Sequence, residues 1–131
     1  MPVRFLLVDD HEVLRMGLRS LFTVRQDWQV CGEAEDGEDA VQKVRELSPD
    51  AVILDLLMPG MTGFEVVSRI REIAPSSKII FFSLHNVPIT ARESGADAFV
   101  SKASGAREFL AAIDGVMSSL GQGPPPLSMT E

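Results

Sequence analysis

Short runs of apolar residues alternate along the chain with segments in which apolar residues recur every three or four positions. The runs predict five strands, at Val3–Val8, Trp28–Ala34, Ala51–Asp55, Lys78–Ser83 and Ala98–Ser101. The segments between and after them predict helices at about His11–Thr23, Gly37–Leu47, Thr62–Ile73 and Gly105–Leu120, with a short helix at Ile89–Ser94. All but the second strand are almost continuously apolar, which is typical of parallel strands covered by helices on both faces. The pattern therefore predicts a doubly wound α/β fold.

Local signals sharpen some of these boundaries. Asp36 is expected to cap the second helix, and Thr62 and Glu65 have the spacing of a capping box at the start of the third. The last helix is expected to bury four residues, Phe109, Ile113, Val116 and Leu120.

Composition and charge limit the classes of function that this chain could have. The chain has 131 residues, enough for one domain, and a net charge of −7 with 12 basic against 19 acidic side chains. Because affinity for nucleic acid depends largely on basic side chains, this stretch is a poor binder of DNA by itself. No apolar run approaches the roughly 20 residues of a membrane span, and no signal peptide is evident, so a cytoplasmic location is expected. Residues 1–121 are predicted to form one domain, and the Gly- and Pro-rich residues 122–131 a linker or tail.

Several polar residues follow the predicted strands. Asp9 and Asp10 follow the first strand, Asp55 and Ser83 end the third and fourth, and Lys102 follows the fifth. In a doubly wound fold the carboxyl ends of parallel strands form the functional edge, so these side chains are expected to lie together. An Asp pair before a helix can also be a simple cap, which is the structural alternative for Asp9 and Asp10.

Three neighbouring carboxylates favour a cation. Two unit charges about 4 Å apart repel by on the order of 4 kcal/mol at an effective dielectric constant of about 20. An oxygen-only site suits Mg²⁺, which also prepares a site for phosphoryl transfer to a carboxylate such as Asp55. Ser83 and Lys102 would then hold phosphoryl oxygens. His11 and His85 also fall near this edge, but their spacing does not predict a transition-metal site.

Three segments carry a resemblance to a known family: Leu7–His11, Asp55–Gly63 and Gly95–Lys102. They resemble, in order, the acidic pair, the phosphoacceptor strand with its Met-Pro-Gly loop, and the lysine segment of response regulator receiver domains. The resemblance covers about residues 3–120. It implies a flavodoxin-like sheet with strand order 2-1-3-4-5. The sequence looks most like the subgroup that carries a LuxR- or NarL-type helix-turn-helix domain.

The resemblance implies a role for each site residue. Asp55 would be the phosphoacceptor, and Mg²⁺ would be bound by Asp10, by Asp9 through water, by Asp55 and by the Leu57 main-chain carbonyl. Ser83 and Lys102 would hold the phosphoryl group, and Ser83 and Phe99 would form the conformational switch. The phosphoryl group would come from a sensor histidine kinase. Such a domain is no conventional enzyme, although it catalyses its own phosphorylation and dephosphorylation.

Further expectations concern the output and the departures from the family pattern. A phosphorylation-dependent homodimer is plausible by resemblance, and DNA would be bound only by an output domain that this sequence lacks. The stretch between Ser83 and Gly95 is about three residues shorter than usual, which predicts a shortened fourth helix. Leu84 is bulkier than the small residue common at that position, and we hypothesise that it narrows access to Asp55.

Three alternatives remain open from the sequence. A flavin- or nucleotide-binding domain would need a loop rich in Gly, Ser or Thr after the first strand, where this chain has acidic residues. A phosphohydrolase with an aspartyl intermediate would need a second acid at Leu57. A pseudo-receiver that binds partners without phosphorylation would keep the fold and lose the chemistry.

Overall fold

Five parallel strands form a single sheet in the computed structural model, which describes residues 2–56, 58–84 and 95–118. The strands are β1 (Val3–Val8), β2 (Trp28–Ala34), β3 (Ala51–Leu54), β4 (Lys78–Ser83) and β5 (Ala98–Ser101). Their order in the sheet is β2-β1-β3-β4-β5. The predicted fold class and strand order are thus confirmed, and β3 ends one residue earlier than expected.

Four described helices connect and follow the strands: α1 (Glu12–Phe22), α2 (Gly37–Leu47), α3 (Gly63–Ile73) and α4 (Ala106–Met117). They agree with the predicted helices to within one to three residues at each end. The short helix predicted at Ile89–Ser94, and with it the predicted shortening of that region, lies outside the described residues. The same holds for Leu120 and for the linker predicted at residues 122–131.

The helix starts follow from local hydrogen bonds. The Asp36 carboxylate accepts a bond of 2.8 Å from the Asp39 N–H at the start of α2. The predicted capping box is present, because the Thr62 hydroxyl accepts from the Glu65 N–H and the Glu65 carboxylate accepts from the Thr62 N–H. At α1 the cap residue is His11, and no side chain caps the helix.

The sheet separates two apolar layers. Successive residues of a strand point to opposite faces, so a continuous apolar run supplies both layers. In β1, Leu6 and Val8 pack with α2 and α3, while Phe5 and Leu7 pack with α1 and α4. Such a run is expected only for a strand covered on both faces, which explains why the sequence pattern identified the sheet.

The buried face of α4 differs from the prediction in one described position. Phe109 and Ile113 are buried as expected, but Val116 is only partly buried and Met117 is buried in its place. Residues 109, 113 and 117 follow a spacing of four, so the buried face passes through Met117 and not through the neighbouring Val116. Among the described helices, none is both long and apolar enough to cross a membrane.

Candidate functional site

Four of the predicted site residues, Asp9, Asp10, Asp55 and Lys102, lie together at the carboxyl edge of the sheet, where Ser83 ends β4. Main-chain hydrogen bonds extend the ladder past the strand ends: the Asp9 N–H donates to the Ala34 carbonyl and the Asp55 N–H to the Val8 carbonyl. The Lys102 N–H likewise donates to the Ser83 carbonyl at 2.9 Å. The backbone of three of these residues is therefore fixed by the same ladder that forms the sheet.

The site has a buried half and an exposed half. Asp9 and Asp55 expose only 3% and 5% of their surface, and Ser83 is fully buried. The side chain of Lys102 is 10% exposed, whereas that of Asp10 is 31% exposed. The acidic pair thus places one carboxylate inside the protein and the next at its surface.

Lys102 lies between the two buried carboxylates. Its Nζ is 2.7 Å from Asp9 Oδ2 and 3.4 Å from Asp55 Oδ2. Burying two carboxylates without a partner would be costly, and this ammonium compensates both. The closer contact is to Asp9, which the sequence did not indicate. The lysine therefore organises the site as well as lying beside the expected phosphoacceptor.

The Asp9 side chain accepts hydrogen bonds at both oxygens. Oδ1 accepts from the His11 N–H and lies 2.9 Å from His11 Nδ1, and Oδ2 accepts from Lys102. The His11 ring also lies 3.2 Å from Asp10 Oδ1 and is 66% exposed. Since α1 lacks a side-chain cap, the interpretation of the Asp pair as a simple helix cap is wrong for this chain.

The acidic residues are close enough to share one cation. Asp9, Asp10, His11 and Asp55 each offer a ligand atom, and these atoms all lie within 4.8 Å of one another. Three carboxylate donors at one partly open edge suit a hard cation such as Mg²⁺, which keeps several water ligands. The donor set therefore fits the predicted ion. Leu57, whose carbonyl is a predicted ligand, lies outside the described residues.

Phe99 lies on β5 beside the core. Its ring is partly buried and packs on Phe81, with ring centroids 6.1 Å apart and planes at 53°. Leu84, directly after β4, is 68% exposed.

The sequence analysis did not single out Arg15, which also lies at this edge. Arg15 on α1 is buried, its Nη1 donates to the Asp9 carbonyl, and its Nε donates to Glu33 Oε1 at 2.8 Å. An arginine that shares the buried face of α1 with Leu18 and Phe22 was a signal that could have revealed it.

Comparisons with known proteins identify the family of this chain. Residues 5–114 match the family of response regulator receiver domains, and the chain therefore belongs to that family. This is a signalling family and not a conventional enzyme family.

Two curated relatives support the LuxR/NarL subgroup. The chain is 38% identical over 115 residues to the nitrate/nitrite response regulator protein NarL of Escherichia coli, covering 86% of this chain and 53% of NarL. It is 35% identical over 116 residues to the response regulator protein VraR of Staphylococcus saprophyticus, covering 86% of this chain and 56% of VraR. The chain thus spans about half the length of these relatives.

Solved structures resemble the whole described fold. A LuxR-family two-component response regulator from Aurantimonas sp. superposes with a TM-score of 0.83 at 34% identity, covering 91% of this chain and 87% of that one. The response regulator domain of Thermotoga maritima CheB gives a TM-score of 0.80 at 30% identity, covering 95% of this chain and all of that domain. Both similarities agree with the strand order found here.

Proposed function

We propose that this receiver domain takes a phosphoryl group onto Asp55 from a sensor histidine kinase in a reaction that requires Mg²⁺. The observation that carries the proposal is the environment of Asp55. Its carboxylate is buried, lies 3.4 Å from the Lys102 ammonium, and shares a ligand cluster with Asp9 and Asp10. A buried carboxylate beside a cation-binding cluster and a fixed ammonium is equipped to act as a nucleophile toward phosphorus.

Asp9, Asp10 and Asp55 would hold the ion, and the Leu57 carbonyl remains a predicted fourth ligand. When bound, Mg²⁺ supplies charge neutralisation on the phosphoryl oxygens. The chain's own residues bring the carboxylates to one edge and keep Asp9 oriented through His11 and Lys102.

Transfer is a displacement at phosphorus. An Asp55 carboxylate oxygen forms the new P–O bond while the P–N bond to the donor histidine breaks, and the imidazole leaves with the electron pair and becomes protonated. Lys102 Nζ would pair with one phosphoryl oxygen, and the Ser83 hydroxyl would donate to another. Water would later attack phosphorus, which regenerates the Asp55 carboxylate and releases inorganic phosphate.

The output would be controlled through a change of conformation that begins at Ser83 and reaches β5. When the Ser83 hydroxyl moves toward the phosphoryl group, Phe99, a partly buried ring on β5, would change its position in response. We expect the result to be transcription control through a DNA-binding domain outside this chain, with a phosphorylation-dependent homodimer as one route. A net charge of −7 makes DNA contact by the receiver itself unfavourable.

The test is the intact mass after incubation with Mg²⁺ and acetyl phosphate or phosphoramidate. The native protein should gain one phosphoryl group, and EDTA added before the donor should prevent the gain. Asp55→Asn should gain nothing, because an amide oxygen is a much weaker nucleophile than a carboxylate.

No gain by the native protein with either donor, or with a histidine kinase, would instead favour the phosphorylation-independent interaction domain. A gain in Asp55→Asn equal to that of the native protein would show that another residue is the acceptor.

A further inference from the structure

Arg15 is the buried arginine of α1, and it joins three elements at the carboxyl edge of the sheet. Only 8% of its surface is exposed. Its Nη1 donates to the main-chain carbonyl of Asp9 at the end of β1, and its Nε donates to the Glu33 carboxylate on β2 at 2.8 Å. The guanidinium is planar and its donors form a rigid fork, so two such contacts fix its orientation.

The Asp9 carbonyl belongs to the peptide unit that links Asp9 to Asp10. A planar peptide moves as one body, so a hydrogen bond to its oxygen restricts the direction in which the Asp10 side chain leaves the chain. The Asp9 carboxylate is also held directly, by Lys102 and by the His11 N–H. The Asp10 carboxylate is more exposed, and the His11 ring lies 3.2 Å from it. The direction of the Asp10 side chain depends more on the orientation of its own main chain.

Glu33 keeps Arg15 in place from the neighbouring strand. Leu7 of β1 is the register partner of Glu33, so β2 delivers the carboxylate beside the end of β1. The second Glu33 oxygen pairs with Arg19, one turn further along α1, and the Glu33 carbonyl accepts from Lys43 of α2 at 2.5 Å. Glu33, which binds the Arg15 guanidinium, is thus itself held by side chains of α1 and α2.

We infer that Arg15 is a positioning residue for the cation site: it orients the Asp9–Asp10 peptide so that Asp10 is directed at the ion before the ion binds. The inference rests on the proposed Mg²⁺ site. Groups that orient metal ligands without touching the metal typically contribute about 10- to 100-fold in metal affinity.

A role through charge alone predicts the opposite sign. The guanidinium is a positive charge near the cluster, and a positive charge repels a cation. Removing it should therefore tighten Mg²⁺ binding if Arg15 acts only electrostatically, and weaken binding if Arg15 acts by orientation.

Arg15→Gln separates the two contacts of the guanidinium. The Gln amide nitrogen lies four bonds from Cα, as Arg Nε does, so it can still donate to Glu33. It lacks the two further bonds that bring Nη1 to the Asp9 carbonyl. We expect the Mg²⁺ dissociation constant, measured by isothermal titration calorimetry, to rise on the order of tenfold.

The matched control is Arg71→Gln at the opposite edge of the sheet. The Arg71 side chain on α3 likewise donates to two main-chain carbonyls, those of Gly95 and Ser77, and to the Asp97 carboxylate. Its substitution should lower stability and leave Mg²⁺ affinity unchanged. Urea unfolding in EDTA measures the stability of both variants, so loss of fold is distinguished from loss of affinity.

A second measurement separates an effect on Mg²⁺ binding from an effect on the phosphorylation of Asp55. The rate of Asp55 phosphorylation by acetyl phosphate should need more Mg²⁺ in Arg15→Gln and approach the native rate once Mg²⁺ is saturating. Arg15→Lys, which keeps a long cationic donor, should recover part of the affinity.

Unchanged or tighter Mg²⁺ binding in a folded Arg15→Gln protein would overturn the inference and leave the proposed function standing. If Arg15→Gln does not fold, the Mg²⁺ affinity of Arg15→Lys and the Mg²⁺ concentration that its phosphorylation requires are measured instead. Native values for both in that variant would overturn the inference. Failure of the native protein to bind Mg²⁺ would overturn the proposed site itself.

Discussion

The buried and exposed halves of the site are arranged for different tasks. In the buried half, Asp9, Asp55 and Lys102 form a compensated set of charges with every side chain at least nine-tenths covered. In the exposed half, Asp10 and His11 face solvent. The buried half is therefore complete before any ligand arrives, and the exposed half is where a cation, water and a phosphoryl donor would enter. The first two predictions below alter one half each, and the third alters an exposed side chain that belongs to neither.

The largest effect is expected for Lys102→Met in the buried half. Removing one partner of a buried ion pair typically costs about 3–5 kcal/mol, because the remaining charge is left without compensation. Here two carboxylates, Asp9 and Asp55, would lose their shared ammonium. The free energy of unfolding, measured by urea titration in EDTA, should fall by about 3 kcal/mol.

Mg²⁺ should stabilise Lys102→Met more than it stabilises the native protein, because the cation takes over part of the lost compensation. The control is Arg69→Met, whose exposed pair with Glu38 should contribute about 1 kcal/mol or less. If Lys102→Met and Arg69→Met unfold alike in EDTA, the buried half is not held together by its charges.

The sequence predicted the edge of the sheet well because its signals are local. Continuous apolar runs identified β1 and β3, and the Thr62–Glu65 capping box, which is present in the structure, fixed the start of α3. Once the strands are parallel, the residues that follow them must share one edge.

The contacts between the site residues were harder to predict because they depend on packing. Arg15 meets Asp9 only because α1 lies against the sheet at one particular rotation, with Glu33 delivered by the neighbouring strand. Whether Lys102 lies nearer Asp9 or Asp55 depends on a few ångströms in the loop after β5. Patterns of apolar spacing do not carry information at that scale.

An intermediate effect is expected for Asp10→Asn in the exposed half. Removing one of three neighbouring charges relieves repulsion, but Asp10 is 31% exposed and solvent screens it. The metal-free protein should therefore gain about 1 kcal/mol or less in the free energy of unfolding. Mg²⁺ affinity should fall at least about tenfold, because a direct ligand is expected to matter no less than the groups that orient it.

Thermal unfolding with and without Mg²⁺ measures both effects of Asp10→Asn. The native protein should gain about 2.7 kcal/mol when Mg²⁺ is present at about 100 times its dissociation constant, and the variant should gain much less at the same concentration. Glu12→Gln is the control, since Glu12 is an exposed acid in the first turn of α1 outside the ligand cluster. An Asp10→Asn protein that responds to Mg²⁺ as Glu12→Gln does would show that Asp10 is not a ligand.

The smallest effect is expected for Leu84→Ala, directly after β4. Leu84 is 68% exposed and directly follows the fully buried Ser83. Our hypothesis is that its side chain narrows the approach of a phosphoryl donor to Asp55. Truncation should quicken phosphorylation by acetyl phosphate and change stability by about 0.5 kcal/mol or less. Val24→Ala, at a similarly exposed apolar residue just after α1, controls for the loss of surface methyl groups. Equal rates in native, Leu84→Ala and Val24→Ala proteins would mean that entry to the buried half is not limited by this side chain. The difference between the halves would then lie in charge compensation alone, which Lys102→Met and Asp10→Asn measure directly.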